Sequence, residues 1–308
     1  MNQEIELKFQ IRESAIKSLS RFLQTQDLVE KHSLQLTNTY YDSADNLLRN
    51  HRSSLRIRGT CELGKSTEYE ITVKSVGKAL AGLHARQEYN VRLPNNRLDL
   101  SVLPSDVFGE GLDKDVLAKN LVAQFSTNFE RKTWLINYNQ SQVEVALDQG
   151  QILADKLMQP IIEVELELKT GYQLDLLLLA LELSKFNLHL FSQSKAARGY
   201  RLLQGNHLSP IASLAADHIS LTDILQFWQT NEEYALVYNN LSLYRETLCS
   251  VANNLKYVLP AAQNEYSSKI NQVYCAWLKN LEYLCDVKTF AFSEINTQLK
   301  IYLLLMDK

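Results

Sequence analysis

Charged and apolar residues alternate strictly in Glu4-Ile5-Glu6-Leu7-Lys8-Phe9. In a strand, period two sends Glu4, Glu6 and Lys8 to one face and Ile5, Leu7 and Phe9 to the other. Glu4 and Glu6 then sit roughly 7 Å apart along one face. At that distance two carboxylates repel by about 2 kcal/mol in an effective dielectric near ~20. A cation held between them turns that cost into a binding site. A solvated edge strand shows the same alternation, so the constraint comes from its return along the chain as far as Lys169.

Leu34 to Asp42 reads as a strand ending in Tyr40-Tyr41-Asp42, and a polar turn over Ser43 to Asn50 leads to Ser54-Leu55-Arg56-Ile57-Arg58. Glu68 to Val76 puts Glu70, Thr72 and Lys74 on one face; His84 to Leu93 does the same for Arg86, Glu88, Asn90 and Arg92. Gly59, Gly64, Gly77 and Gly82 fall between these runs and read as turn residues. Pro94 to Leu121 is irregular, with short helices. Strands resume at Phe125 to Tyr138 and Gln142 to Gln149, with Asn139-Gln140-Ser141 as the hairpin turn. Ile161 to Lys169 mirrors the first strand. Glu13 to Gln26, Tyr172 to Phe186 and Ser194 to Leu203 read as helices.

The charged face carries Glu4, Glu6, Glu88, Glu144, Asp148, Glu163, Glu165 and Glu167 as acids. Its bases are Lys8, Arg56, Arg58, Lys74, Arg86, Arg92 and Arg131. It nearly lacks the Ser, Thr and Gln of a water-washed sheet. Among its bases Arg outnumbers Lys, and Arg suits bidentate contact with oxyanions. An antiparallel sheet closed into a barrel with a polar bore explains both features. An ion-paired sheet face without chemistry is the plain alternative. Carboxylates would hold Mg²⁺ or Mn²⁺ through oxygen, and Arg and Lys would neutralise phosphate. Arg92 lies near the turn at Pro94 and reads as a rim residue; Glu167 could pair with a rim lysine. Of Tyr40 and Tyr41, one packs in the shell. No histidine lies on the charged pattern beside two acids, so His51, His84 and His189 read as surface or packing residues.

The 308 residues are 45% hydrophobic and 22% charged, which suits one large or two ordinary globular domains. A net charge of −3 argues against a general nucleic-acid binder. Four cysteines (Cys61, Cys249, Cys275, Cys285) form no CxxC pair and read as reduced thiols of a cytoplasmic protein. The charged start from Met1 to Lys8 is no secretory signal, and the longest apolar run, Leu176 to Leu181, is too short to span a membrane.

The sequence from Met1 to about Gln204 resembles the CYTH superfamily, the triphosphate tunnel metalloenzymes. Six blocks in family order carry the resemblance: Glu4-Ile5-Glu6-Leu7-Lys8; Tyr40-Tyr41-Asp42 through Leu55-Arg56-Ile57-Arg58; Thr72-Val73-Lys74; Arg86-Gln87-Glu88; Glu163-Val164-Glu165-Leu166-Glu167; and Ser194-Lys195-Ala196-Ala197-Arg198-Gly199-Tyr200. The resemblance implies an α+β fold, an eight-stranded antiparallel β-barrel (tunnel) with flanking helices. It implies a two-metal site for Mg²⁺ or Mn²⁺ on Glu4, Glu6, Asp148, Glu163 and Glu165. Lys8, Arg56, Arg58, Lys74, Arg86, Arg131, Lys195 and Arg198 would grip the substrate. Glu6, Lys8 and Lys74 are the expected catalytic residues, with Glu6 as first choice for the base. The expected reaction is hydrolysis of inorganic tripolyphosphate, a small-molecule partner, without nucleic acid or membrane. Thiamine-triphosphatase and class IV adenylate cyclase are alternatives within the family; a non-catalytic polyphosphate-binding protein is one outside it.

From Leu221 onward only helical patterns appear. Tyr234, Val237, Leu241, Tyr244, Leu248, Val251, Leu255 and Val258 form one packing stripe. Ile270 to Leu284 and Ile295 to Tyr302 give two further helices. The expected division is 1–205, the tunnel domain, and 206–308, an all-α helical bundle. The second part takes the place of a CHAD domain in bacterial relatives, reduced and acidic. It would brace the tunnel or form a homodimer.

Overall fold

The structure is a computed structural model that describes residues 2–104, 106–108, 111–205, 207–214, 219–260 and 265–306, with the backbone alone for 2, 3 and 76. In chain order the elements are β1 (Asn2–Ile11), α1 (Glu13–Leu23), β2 (Leu28–Ser43), α2 (Leu47–Asn50), β3 (Ser54–Glu62), β4 (Glu68–Leu80) and β5 (Leu83–Leu93). Next come α3 (Lys114–Asn120), β6 (Leu121–Tyr138), β7 (Ser141–Ala154), β8 (Leu157–Thr170), α4 (Gln173–Leu183), β9 (Leu188–Leu190) and α5 (Lys195–Leu203). The remainder is helical: α6 (Leu221–Tyr238), α7 (Leu241–Val258), α8 (Ser267–Leu281), α9 (Val287–Ala291) and α10 (Glu294–Met306).

The expected closed antiparallel sheet is present. Strands run in the order β5-β4-β3-β2-β6-β7-β8-β1, and β1 pairs back onto β5, so eight strands form a ring. β1 closes it by dividing its length. Asn2 to Leu7 pair with β5, Glu6 to Gln10 pair with β8, and the short β9 joins at Phe9 to Ile11. A three-residue strand has no period to read, which is why β9 was not foreseen.

Period two then sorts the side chains. Outward Leu7, Phe9, Val145, Leu147, Val164 and Leu166 are buried under α1 and α4, as their amphipathic patterns require. Leu55, Ile57, Ile71 and Val73 pack under the 94–120 connection through Leu100, Phe108 and Leu117. Asp42 fixes the turn after β2: its Oδ1 accepts from the backbone of Ser43 and Leu48, at 2.8 Å each. Its Oδ2 accepts from the Tyr200 hydroxyl of α5 at 2.8 Å.

Two of the four glycines read as turns lie inside strands instead. Gly59 is in β3, and Gly77 is in β4 at a register shift between Lys74 and Gly77. Both are places where another chain segment approaches too closely for a side chain. Gly150 of β7 is a further such place: a Cβ there would lie 2.2 Å from the Asn128 carbonyl oxygen and 2.4 Å from Phe129 Cα. Gly150→Ala is expected to cost about 3 kcal/mol, read from urea unfolding. A loss near zero would mean that β6 and β7 are not held this closely.

The packing stripe expected as one helix is two. Asn239, with φ 50°, ends α6 after Tyr238, and Asn240 caps α7 by accepting from Leu243 N. Helices after residue 206 pack on the outside of the ring. One continuous apolar core joins Leu7, Phe9 and Leu188 to Trp228, Leu299 and Leu303. Glu232 and Glu233, two of the acids that outnumber the bases in this segment, are buried. Glu232 accepts from Lys300 Nζ, from Trp228 Nε1 at 3.1 Å, from the Tyr244 hydroxyl at 2.5 Å and from Asn296 Nδ2 at 3.0 Å. His189 Nε2 of β9 lies 2.8 Å from the same carboxylate, so this network ties the helices to the ring.

Candidate active site

The ring encloses a charged cavity of about 610 Å³. Seven carboxylates and eight Lys or Arg side chains line it, in close alternation. Register explains the mixture: Lys8 stands opposite Glu165, Glu4 opposite Arg86, Lys74 opposite Glu88 and Arg131 opposite Asp148.

On one wall Lys74 Nζ lies 2.7 Å from Glu4 and 3.0 Å from Glu88. Arg56 is 3.7 Å from Glu88, and Arg58 Nε donates to Asn38 at 2.9 Å. Burial pushes the Glu4 carboxyl up to about 7; Lys74 opposes this, while Glu6 and Glu88 add to it. Glu6 goes the other way. Its burial is outweighed by Lys8 and Lys74, which bring it down to about 2. Arg86 reaches Glu6 at 3.5 Å and His84 Nδ1 at 3.1 Å. Burial beside Lys8 and Arg86 pushes His84 down to about 3, so its ring is neutral.

On the adjoining wall, formed by β7 and by β8 beside β1, Asp148, Glu163 and Glu165 each offer an oxygen, all within 4.8 Å of one another. Lys195 Nζ stands among them, at 2.7 Å from Asp148 and 2.9 Å from both glutamates. Arg131 forks onto Asp148 at 2.7 and 2.6 Å and reaches Glu165 at 2.6 Å. Lys8 joins the two walls, 2.6 Å from Glu165 and 3.1 Å from Glu6. Burial would raise the Glu165 carboxyl, but Lys195, Lys8 and Arg131 hold it well below the usual range.

The oxygen-only donor set of Asp148, Glu163 and Glu165 fits a hard divalent cation. Glu4 and Glu6 do not join that cluster; they belong to the other wall, linked to it through Lys8. Asp148 and Glu163 lie just behind the cavity lining and touch it through Lys195. Arg198, expected among the substrate-gripping residues, does not line the cavity. It donates to Glu163 and to the Pro160 carbonyl from behind. Arg92 is at the rim beside Glu68, and Glu167 and Glu144 share Lys169. Tyr41 packs outside the ring with the Leu55 cluster.

The sequence reading did not promote Tyr40, Glu70, Thr72, Glu88 or Asn90 to site residues, yet all line the cavity. Parity was the available signal for four of them, since they alternate with Lys74 or Arg86. Tyr40 needed the register that places it opposite Arg56. Burial would raise its phenol, but the Arg56 charge and hydrogen bond bring it below the ordinary value.

The CYTH domain profile matches residues 2–200. An inorganic triphosphatase of Haemophilus influenzae is 38% identical over 205 residues, covering 66% of this chain and 55% of that protein. The chain thus spans about half the length of this curated relative. Among solved structures, an adenylyl-cyclase candidate from Hippeastrum with a dominant triphosphatase activity is 18% identical, covering 67% of this chain and 98% of that one at a TM-score of 0.43. A Pyrococcus horikoshii protein is 15% identical, covering 63% and 96% at a TM-score of 0.44.

Proposed function

This chain belongs to the CYTH domain family, and on that premise we propose that it is a metal-dependent inorganic triphosphatase cutting tripolyphosphate to diphosphate and phosphate. The observation that carries the reading is the alternation of carboxylates and cations around one enclosed cavity. A bare polyanion site would omit the acids, and a bare metal site would omit the bases. The 38% identity to a protein named for this activity supports the substrate class.

Asp148, Glu163 and Glu165 would hold Mg²⁺ or Mn²⁺, with Glu4 and Glu6 of the neighbouring β1 available to a second ion. The ion would neutralise phosphate oxygens and acidify an attacking water. Lys8, Lys74, Arg56, Arg58, Arg86 and Arg131 would grip phosphate oxygens, and Lys195 would exchange its carboxylate partners for phosphate. Arg198 would position Glu163 rather than touch substrate. Whichever of Glu6 and Glu4 is not holding an ion would accept the proton, and burial, which raises the Glu4 carboxyl, suits Glu4 to that task.

Residues 1–205 would form the catalytic unit and 206–308 a helical brace, with a homodimer as an alternative use of the helices. We keep the cytoplasmic placement as part of this reading. Among the described residues no helix is long and apolar enough to cross a membrane.

The test is phosphate release from tripolyphosphate, thiamine triphosphate and ATP with Mg²⁺ or Mn²⁺, with and without EDTA. Release from tripolyphosphate, stopped by EDTA, is expected. Cyclic AMP from ATP would replace this reading with the cyclase, and binding without release would replace it with the polyphosphate-binding protein.

A further inference from the structure

The short β9 has one edge on β1 and the other on the helices. Phe191 N donates to Lys8 O at 2.9 Å, so period two turns the backbone groups of residues 188, 190 and 192 away from β1. Side chains from the helical part meet all three. Thr297 Oγ1 of α10 donates to Leu188 O. Gln229 Nε2 of α6 donates to Leu190 O at 2.6 Å. Glu233 Oε1, one turn further along α6, accepts from Ser192 N at 2.6 Å. An edge that would otherwise bury unpaired groups is thus filled by helix side chains in place of a strand.

The two α6 residues hold one another. Gln229 Nε2 also donates to Glu233 Oε1 at 2.7 Å, and Lys300 Nζ donates to Gln229 Oε1 at 2.9 Å. Both residues are buried, and neither lines the charged cavity. Three residues after Ser192 the chain reaches Lys195, the first residue of α5, whose ammonium stands among Asp148, Glu163 and Glu165. Tyr200 and Leu202 anchor the later part of α5, through Asp42 and the apolar cluster around Phe129. The end of α5 that carries Lys195 follows directly from the segment that α6 grips.

We propose that Gln229 and Glu233 are positioning residues for Lys195: by fixing the backbone at Leu190 and Ser192 they set where its ammonium meets phosphate. The inference deepens the triphosphatase reading and rests on it. It gives the helices after residue 206 a part in gripping substrate, beyond bracing the ring. Glu233 supplies a charge as well as an acceptor, and that charge acts on Arg198 and Arg201 of α5. Its Oε2 meets no hydrogen-bonding group, so Glu233→Gln keeps the bond to Ser192 and removes the charge.

Steady-state phosphate release from tripolyphosphate with Mn²⁺ tests this in the full chain. Glu233→Met, which fills the space without an acceptor, and Glu233→Ala are each expected to lower kcat/KM about tenfold, chiefly by raising KM. Glu233→Gln should stay within about threefold of the native value. Lys195→Ala should lose about thirtyfold, and adding Glu233→Met to it should lose less than about twofold more. A loss as large in the Lys195→Ala background as in the native one would overturn the inference, since a general loosening of the fold adds independently. So would Glu233→Gln as poor as Glu233→Met, which would assign the effect to the charge on Arg198 and Arg201. Native kinetics in Glu233→Met and Glu233→Ala would overturn it too. No turnover by the native chain would remove the underlying reading instead.

Discussion

Glu165→Gln is expected to lower tripolyphosphate hydrolysis by at least about a hundredfold and to weaken Mn²⁺ binding in parallel. Glu165 is the acceptor shared by Lys8, Lys195 and Arg131, at 2.6, 2.9 and 2.6 Å. A neutral amide cannot balance three buried cations, so the substrate-free protein should also lose about 3 kcal/mol of stability. Tripolyphosphate would supply the missing negative charge, and its addition should return part of the lost melting temperature. An ion-paired sheet face without chemistry would show the stability loss alone, with no recovery. Turnover within tenfold of the native rate, in a folded variant, would place the reaction elsewhere.

Glu232→Ala should cost about 3–5 kcal/mol, measured by urea unfolding. The carboxylate is fully buried and is the counter-charge of Lys300, itself 1% exposed. Lys300 burial lowers its ammonium pKa, against the pull of Glu232. Removing the acid leaves that ammonium with Gln229 alone and no counter-charge, and takes the acceptor from the Tyr244 hydroxyl. The paired change Glu232→Leu, Lys300→Met removes both charges and should recover part of the loss, while Trp228 and Tyr244 remain without their acceptor. A small effect of Glu232→Ala would mean that the apolar core alone fastens the helices to the ring.

How far the sequence could be read follows from what each signal encodes. Period two marks faces, so the inward sets of β1, β3, β4 and β5 were legible from Glu4-Glu6-Lys8, Arg56-Arg58, Lys74 and Arg86-Glu88. Closure was legible too, because that face nearly lacks Ser, Thr and Gln and carries more Arg than Lys. Partnering was not. Lys8 meets Glu165 across 157 residues of chain, and no local pattern states that Asp148, Glu163 and Glu165 share one wall while Glu4 and Glu6 share another. Gly59 and Gly77 signal close approach as well as turning, and composition does not separate the two. A continuous apolar stripe hid the break at Asn239, since the spacing resumes in phase across it. The acids at 232 and 233 carry no mark of burial in sequence; only their distant partners show it.

β1 gives its two edges to strands that are translated far apart. Its pairing with β5 becomes available early in synthesis, whereas β8 emerges only after most of the sheet exists. During that interval β1 presents an unpaired edge bearing Glu6 and Lys8, and charge on an open edge discourages pairing with other chains. Joining it demands a long loop closure, which makes it the slow event of assembly. The charges that line the finished cavity thus lie, while the polypeptide is growing, on an edge where they oppose aggregation.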